Sequence, residues 1–303
     1  MNNKVVLKIV AICAVVFLVF GILAAALAIY TIPKKLDEGN WPSFGGNEPF
    51  EYYKQEVIDT DGVSKINIST VSTDVVFYQS EKDLEVTLDV QGYTRSETLT
   101  LETNKNDGVV NVEIKYPKYN FGSWGGLNIT RGLLQIGIPA SYSENLYVSG
   151  VSSNIKINEG ISNSFSKLDI GTVSGDARID CEKISFIDFQ STSGALTVEN
   201  TLIDTVSVDT TSGDISIDNI IGESGNINVS TISGSVKLYY DALCKTNIHT
   251  ISGDVTLIVP ENSKMDLDYD STSGDISGSY STDADGITVD VNTTSGDLNI
   301  EEN

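Results

Sequence analysis

A Ser-Gly pair recurs seven times along the C-terminal half of the chain, and its spacing limits the possible folds more than any other feature. The glycines are Gly175, Gly194, Gly213, Gly234, Gly253, Gly274 and Gly296, separated by 19, 19, 21, 19, 21 and 22 residues. A near-constant period of about twenty residues marks a chain built from stacked, similar units. Two residues after each glycine stand Ala177, Leu196, Ile215, Val236, Val255, Ile276 and Leu298. Two further on, the column is again apolar apart from Gly278, and the residues between are polar. That alternation predicts a strand with one buried face. Five residues before each glycine, Ile170, Phe189, Val208, Val229, Ile248, Tyr269 and Val291 predict a second such strand. The inward phase slips by one at the Ser-Gly pair, so the chain must bend or bulge there, and glycine suits such a backbone.

Each unit therefore reads as strand, Ser-Gly corner, strand and variable return, with returns that could supply a third side. Stacking would place like residues above like, about 4.8 Å apart, in parallel ladders. A Thr or Ser stands three residues before every glycine, which predicts a hydroxyl ladder. The expected fold class is all-β: a parallel β-solenoid over residues 151–303, with an N-terminal β-sheet cap over 64–150. The cap would begin with a degenerate coil, "KINISTVSTDVVFY", in which Ser72-Thr73-Asp74 replaces Ser-Gly-Asp. "DLEVTLDVQGY" and "GVVNVEIKY" look like antiparallel partners within it. Ile138-Pro139 echoes Val259-Pro260, each shortly before a coil.

The N-terminus reads differently. Residues 9–32 carry no charge. About 20 residues at about 1.5 Å each cross a bilayer core, so this run predicts one transmembrane helix within an anchor, 1–35. A cleaved signal peptide would have a shorter apolar region. Asp37 and Glu38 beyond the run favour an inside N-terminus and an extracytoplasmic body, a single-pass cell-membrane protein. Residues 36–63 read as a linker.

Composition excludes one class of partner. The chain carries 42 acidic residues against 19 basic, a net charge of -23, with no basic cluster to replace phosphate counterions. No nucleic acid is expected. Cys181 and Cys244 would lie about three coils apart, roughly 14 Å, beyond the reach of a disulfide.

Few residues suggest chemistry. The lone histidine, His249, falls in an outward polar column. The column after the glycines ends with Asp254, Asp275 and Asp297, which leaves a calcium ladder open. Local turn bonding is the simpler use of aspartate at a corner. Arg178, beside Asp176, is the only arginine in the array. The glycine-rich segment 117–132 carries Tyr119, Phe121 and Trp124, aromatics suited to stacking on a sugar or a partner protein. The aromatics of "WPSFGGNEPFEYY" could sit at a membrane interface. No catalytic residue, cofactor or assigned metal site follows from these positions.

The T-x-S-G-D array, the membrane run and the Ile-Pro and Val-Pro elements together resemble a bacterial family of unknown function labelled putative adhesins. The family includes LiaG-type proteins linked to cell-envelope stress operons of Gram-positive bacteria. The resemblance spans residues 60–303 and supplies no catalytic motif. It implies a membrane-anchored β-solenoid that binds or scaffolds at the envelope, with cell-wall polymer or envelope proteins as partners. A sensory or regulatory accessory role and a carbohydrate-active β-helix enzyme are the alternatives.

Overall fold

The computed structural model describes residues 48–94, 98–117, 127–221 and 225–303. The expected membrane anchor and the loop aromatics Tyr119, Phe121 and Trp124 lie outside the described residues. The strands are β1 (Glu48–Ile58), β2 (Lys65–Ser69), β3 (Asp74–Ser80), β4 (Leu84–Thr94), β5 (Thr100–Asn106), β6 (Val109–Lys115), β7 (Asn128–Pro139), β8 (Asn145–Ser149), β9 (Ile155–Gly171), β10 (Ala177–Ser191) and β11 (Leu196–Glu199). The array continues through β12 (Leu202–Thr210), β13 (Ile215–Ile220), β14 (Asn226–Ser230), β15 (Val236–Tyr240), β16 (Lys245–His249), β17 (Val255–Val259), β18 (Lys264–Ser271), β19 (Ile276–Gly278), β20 (Ser281–Thr282), β21 (Ile287–Thr293) and β22 (Leu298–Glu302).

The expected coil is observed. In each repeat one strand enters the corner on a first face and another leaves it on a second face. Parallel ladders join equivalent strands: Phe189 pairs with Ile170 and Val208, and Leu196 pairs with Ala177 and Ile215. The inward columns are the alternating apolar residues, and Ile170, Phe189, Val208, Val229 and Ile248 are all buried. A short third ladder runs through the returns, Phe165–Ile184–Ile203–Ile220–Tyr240, and each of these side chains is buried. Three buried sides explain how one coil of about twenty residues encloses a core.

Stacking order departs from chain order at both ends. Near the C-terminus, β16 and β17 pair with β21 and β22, the last coil in the sequence. The coil of β18 and β19 lies outside that one. At the other end, β2 and β3 sit between β6 and β7 on one side and β8 and β9 on the other. Each terminal coil is thus sandwiched, with both ladder edges satisfied. Besides β3 to β4, which passes over β7 into the antiparallel wall, and β20 to β21, which rounds the start of β18, two connections must then cross two coil levels, about 9–10 Å: β7 to β8, and β17 to β18. These are the connections that carry Pro139 and Pro260. Both make the same turn, Tyr142 N–H to Pro139 O at 2.9 Å and Ser263 N–H to Pro260 O at 3.1 Å. The echo visible in the sequence marks the two crossings.

Two expectations need correction. The segment 36–63 is not all linker: Glu48–Ile58 forms β1, paired antiparallel with β4 along its whole length. Its alternate residues Phe50, Tyr52 and Ile58 pack against the core, which holds the segment in the sheet. The strands "DLEVTLDVQGY" and "GVVNVEIKY" are not partners. β4 lies between β1 and β7 on the second face, whereas β6 pairs with β5 and β2 on the first. The cap is therefore two short walls that extend the two faces. Leu84, Val86, Leu88 and Val90 line one wall, and Leu101, Val110 and Val112 line the other.

Candidate binding surfaces

The hydroxyl, serine, glycine and aspartate positions of the repeated T-x-S-G-D string have structural uses. The Thr or Ser hydroxyl accepts the N–H of the glycine three residues on, as in Thr172–Gly175 (3.0 Å), Ser191–Gly194 (2.7 Å) and Thr250–Gly253 (2.9 Å). This closes the turn within a coil instead of forming a ladder along the stack. Thr210 differs, for its buried hydroxyl has no hydrogen-bond partner. The serine N–H bonds a carbonyl of the adjacent coil, Ser212 to Thr192 at 3.0 Å and Ser252 to Ile232 at 3.0 Å. The serine hydroxyls reach the same carbonyls at 3.4 Å and 3.3 Å.

The glycines answer a packing demand that the phase argument did not foresee. None of the seven has a left-handed backbone. A Cβ built on Gly194, Gly213 or Gly253 would instead lie 1.9–2.0 Å from the carbonyl oxygen of the glycine one coil away. The corners stack so closely that no side chain fits between them.

The aspartates bond along the axis. Asp176 accepts the N–H of Ala195 at 2.9 Å, Asp214 that of Ser235 at 2.9 Å, and Asp254 that of Asp297 at 3.0 Å. Asp297 in turn accepts the N–H of Asp275 at 2.9 Å. The three residues considered for calcium are neighbours, in the order Asp254, Asp297, Asp275, and two of their carboxylates already serve as backbone acceptors. Among the described residues, no group of three His, Cys, Asp or Glu side chains could hold a metal ion.

Other sequence candidates are equally committed. Arg178 pairs with Glu199 one coil along, at 2.5 Å, and not with Asp176. His249 stands half-buried in the outward column of the first face, one coil from Asp290 and Asn292. Cys181 and Cys244 are free and buried, and burial pushes their thiols up to about 12 and about 11. Thiols held that far from the thiolate are inert.

Two features escaped the sequence reading. Tyr116 leaves β6 and sets its hydroxyl oxygen over the first corner. There it lies 3.3 Å from both Val71 N and Ser72 N, 3.2 Å from Thr70 Oγ1 and 3.0 Å from Thr73 Oγ1. It occupies the place of a preceding coil's carbonyl and so ends the corner ladder. Burial raises its pKa, but these donors together outweigh burial and hold the phenol below its ordinary value.

The second feature is a cleft of about 750 Å³ where the two cap walls meet, lined by Lys54, Glu56, Leu101, Glu102, Thr103, Asn104, Lys105, Asn111 and Glu113. Side chains of β1 reach across it to the free edge of β5. The Leu101 N–H donates to Tyr52 Oη at 3.0 Å, Lys54 Nζ donates to Leu101 O at 2.9 Å, and the Thr103 hydroxyl donates to Glu56. Lys105 Nζ donates to the carbonyls of Asp59 and Asp61 at 2.9 Å and 3.0 Å. Burial raises the Glu56 carboxyl, but bonds from Lys54 and Thr103 prevail and hold it below the usual range. The cleft is polar, yet most of its charged groups close the mouth of the fold. It suits a ligand rich in hydrogen-bonding groups rather than an apolar one.

The pattern of a protein family described as Toastrack DUF4097 matches residues 63–301. No curated protein matches the chain. Solved structures share the fold. One, described as a "putative adhesin" from Parabacteroides merdae, is 14% identical, with a TM-score of 0.52 over 84% of this chain and 96% of that one. Another, described as a "putative lipid binding protein" from Parabacteroides distasonis, is 17% identical, with a TM-score of 0.52 over 85% and 97%.

Proposed function

The chain belongs to the Toastrack DUF4097 family, and from that membership we propose that it is a membrane-anchored, extracytoplasmic binding module of adhesin type. One observation carries the preference for binding over catalysis. The repeated string, the feature of the sequence most like a motif, spends its hydroxyls, glycine and carboxylates on holding one coil to the next. What remains for function is a rod with long lateral faces and two ends, a shape that presents surfaces. The uncharged run at residues 9–32 supports the anchor, because its length suits a bilayer. The charge of -23 disfavours nucleic acid as the partner.

Protease added to intact protoplasts should digest residues 36–303 while a cytoplasmic marker survives; complete protection would overturn the placement. The full-length chain should also sediment with isolated envelope material, saturably. Failure to do so in both wall-bearing and wall-free preparations would remove the binding role.

A further inference from the structure

The outermost coil at the C-terminal end leaves a strand with one bare edge. β18 pairs with β21 from Met265 to Ser271. On its other side, β20 covers only Lys264 and Met265. Among the described residues, Asp266–Ser271 therefore have no second strand beside them. Leu267 and Tyr269 occupy inward columns in which Val206, Val208, Val289 and Val291 are buried, yet both are only half-buried. The core at this end stops one strand short.

Charge decides what could complete it. Asp266, Asp268 and Asp270 alternate along β18 and all face solvent. From Val259 to the last residue the only basic side chain is Lys264, and it is already paired with Asp283 at 3.0 Å. Burial raises the Asp290 carboxyl one coil inward, and Asp268 and Asp270 raise it further, against His249. A second copy pairing antiparallel through β18 would set these aspartates against their own counterparts, and like charges directly opposite destabilise a sheet. An acidic edge also repels acidic strands, and a neutral strand would leave its carboxylates uncompensated. It fits a strand of the opposite sign.

We propose that the free edge of β18 receives an extended basic peptide segment as an added strand, its apolar residues covering Leu267 and Tyr269 and its lysines or arginines facing Asp266, Asp268 and Asp270. The main chain would supply affinity and the alternating side chains would supply selection. This site does not depend on the membrane placement proposed above.

The test is fluorescence anisotropy on the full-length chain with a labelled eight-residue peptide of alternating Lys and Val. Two further probes are the same peptide N-methylated at alternate backbone nitrogens and a block peptide of equal composition. The alternating peptide should bind about tenfold tighter than either control, a difference of about 1.4 kcal/mol. The variant Asp266→Asn/Asp268→Asn/Asp270→Asn, with an unchanged melt, should lose about tenfold. Equal affinity for the N-methylated peptide would reduce the effect to charge attraction and overturn the proposal. Undiminished binding by the triple variant would place the peptide elsewhere, and concentration-dependent self-association lost in that variant would make the occupant a second copy. Either result would also sink it.

Discussion

Gly213→Ala is the sharpest probe of the corner, because it adds one methyl group and changes nothing else. The added Cβ would lie 1.9 Å from Gly194 O, 2.6 Å from Gly194 C and 3.2 Å from Ala195 N. Real Cβ atoms hardly ever come closer than 3.0 Å to such atoms, so the two corners must part by more than 1 Å. That displacement falls on a rigid backbone stack, not on a side chain that can turn aside. Overpacking of this kind costs about 1–3 kcal/mol. It also strains the inter-coil bonds on either side, Ser212 N–H to Thr192 O and Leu196 N–H to Asp214 O, both at 3.0 Å. At about 1 kcal/mol for each bond, the sum is roughly 3–5 kcal/mol. For a chain of this size that lowers Tm by roughly 6–20 °C. Gly171→Ala is the matched control, since its Cβ would meet nothing within 4 Å, and it should stay within about 1 kcal/mol of the parent. Both should be followed by thermal melts monitored by circular dichroism. If the two variants melt alike, close stacking is not what the glycine serves.

Other outcomes follow from the same contacts. Tyr116→Phe removes the oxygen over Val71 N and Ser72 N and should cost about 1–3 kcal/mol in a denaturant titration; no loss would mean that another group ends the corner ladder. Burial, and then the charge of Asp188, raise the Asp209 carboxyl above 3.8, despite a bond from Ser230. A raised folded value favours the native state below the unfolded pKa, and that contribution disappears as pH rises through the folded value. Asp209→Asn should therefore raise Tm at pH 7 by a few degrees at most, since solvent screens this partly exposed group. The gain should fade below about pH 3.8, and a loss of Tm at pH 7 would contradict the burial argument. Chelation of divalent ions should leave the melt unchanged, because Asp254 and Asp297 already accept backbone N–H groups; a clear drop would revive the calcium ladder.

Much of the fold was legible in the sequence because a solenoid repeats its instructions. The columns at Leu196, Ile215 and Val236 and at Phe189, Val208 and Val229 mark both inward faces, and the ladders follow them residue by residue. The stacking order was not legible. Every coil offers the same backbone ladder and nearly the same side chains, so no local signal says which coil lies beside which. Only Pro139 and Pro260 betray the two crossings, and their meaning emerges from the registers. β1 escaped because its alternation mixes Phe50 and Tyr52 with Lys54 and Glu56, whose charged ends are satisfied across the cleft by β5. Glycine at the corner was placed correctly for an incomplete reason. Phase change pointed to backbone freedom, whereas the spacing between neighbouring corners, which a single coil does not encode, decides the residue.

The sandwiched coil at the C-terminal end sets a condition on assembly. A solenoid whose coils stack in chain order can zip up as it emerges from a ribosome or a translocation pore. Here the coil of β18 and β19 ends one level away from β17, with residues 287–302 filling the gap. Docking it directly onto the coil of β16 and β17 would satisfy the same ladders in the wrong order, and correcting that error means peeling the coil off again. Folding at this end must therefore either slot β21 and β22 into a held gap or dock them first and lay the coil of β18 and β19 over them. A chain cut short before Ile287 would be left with a vacant slot or a misplaced coil.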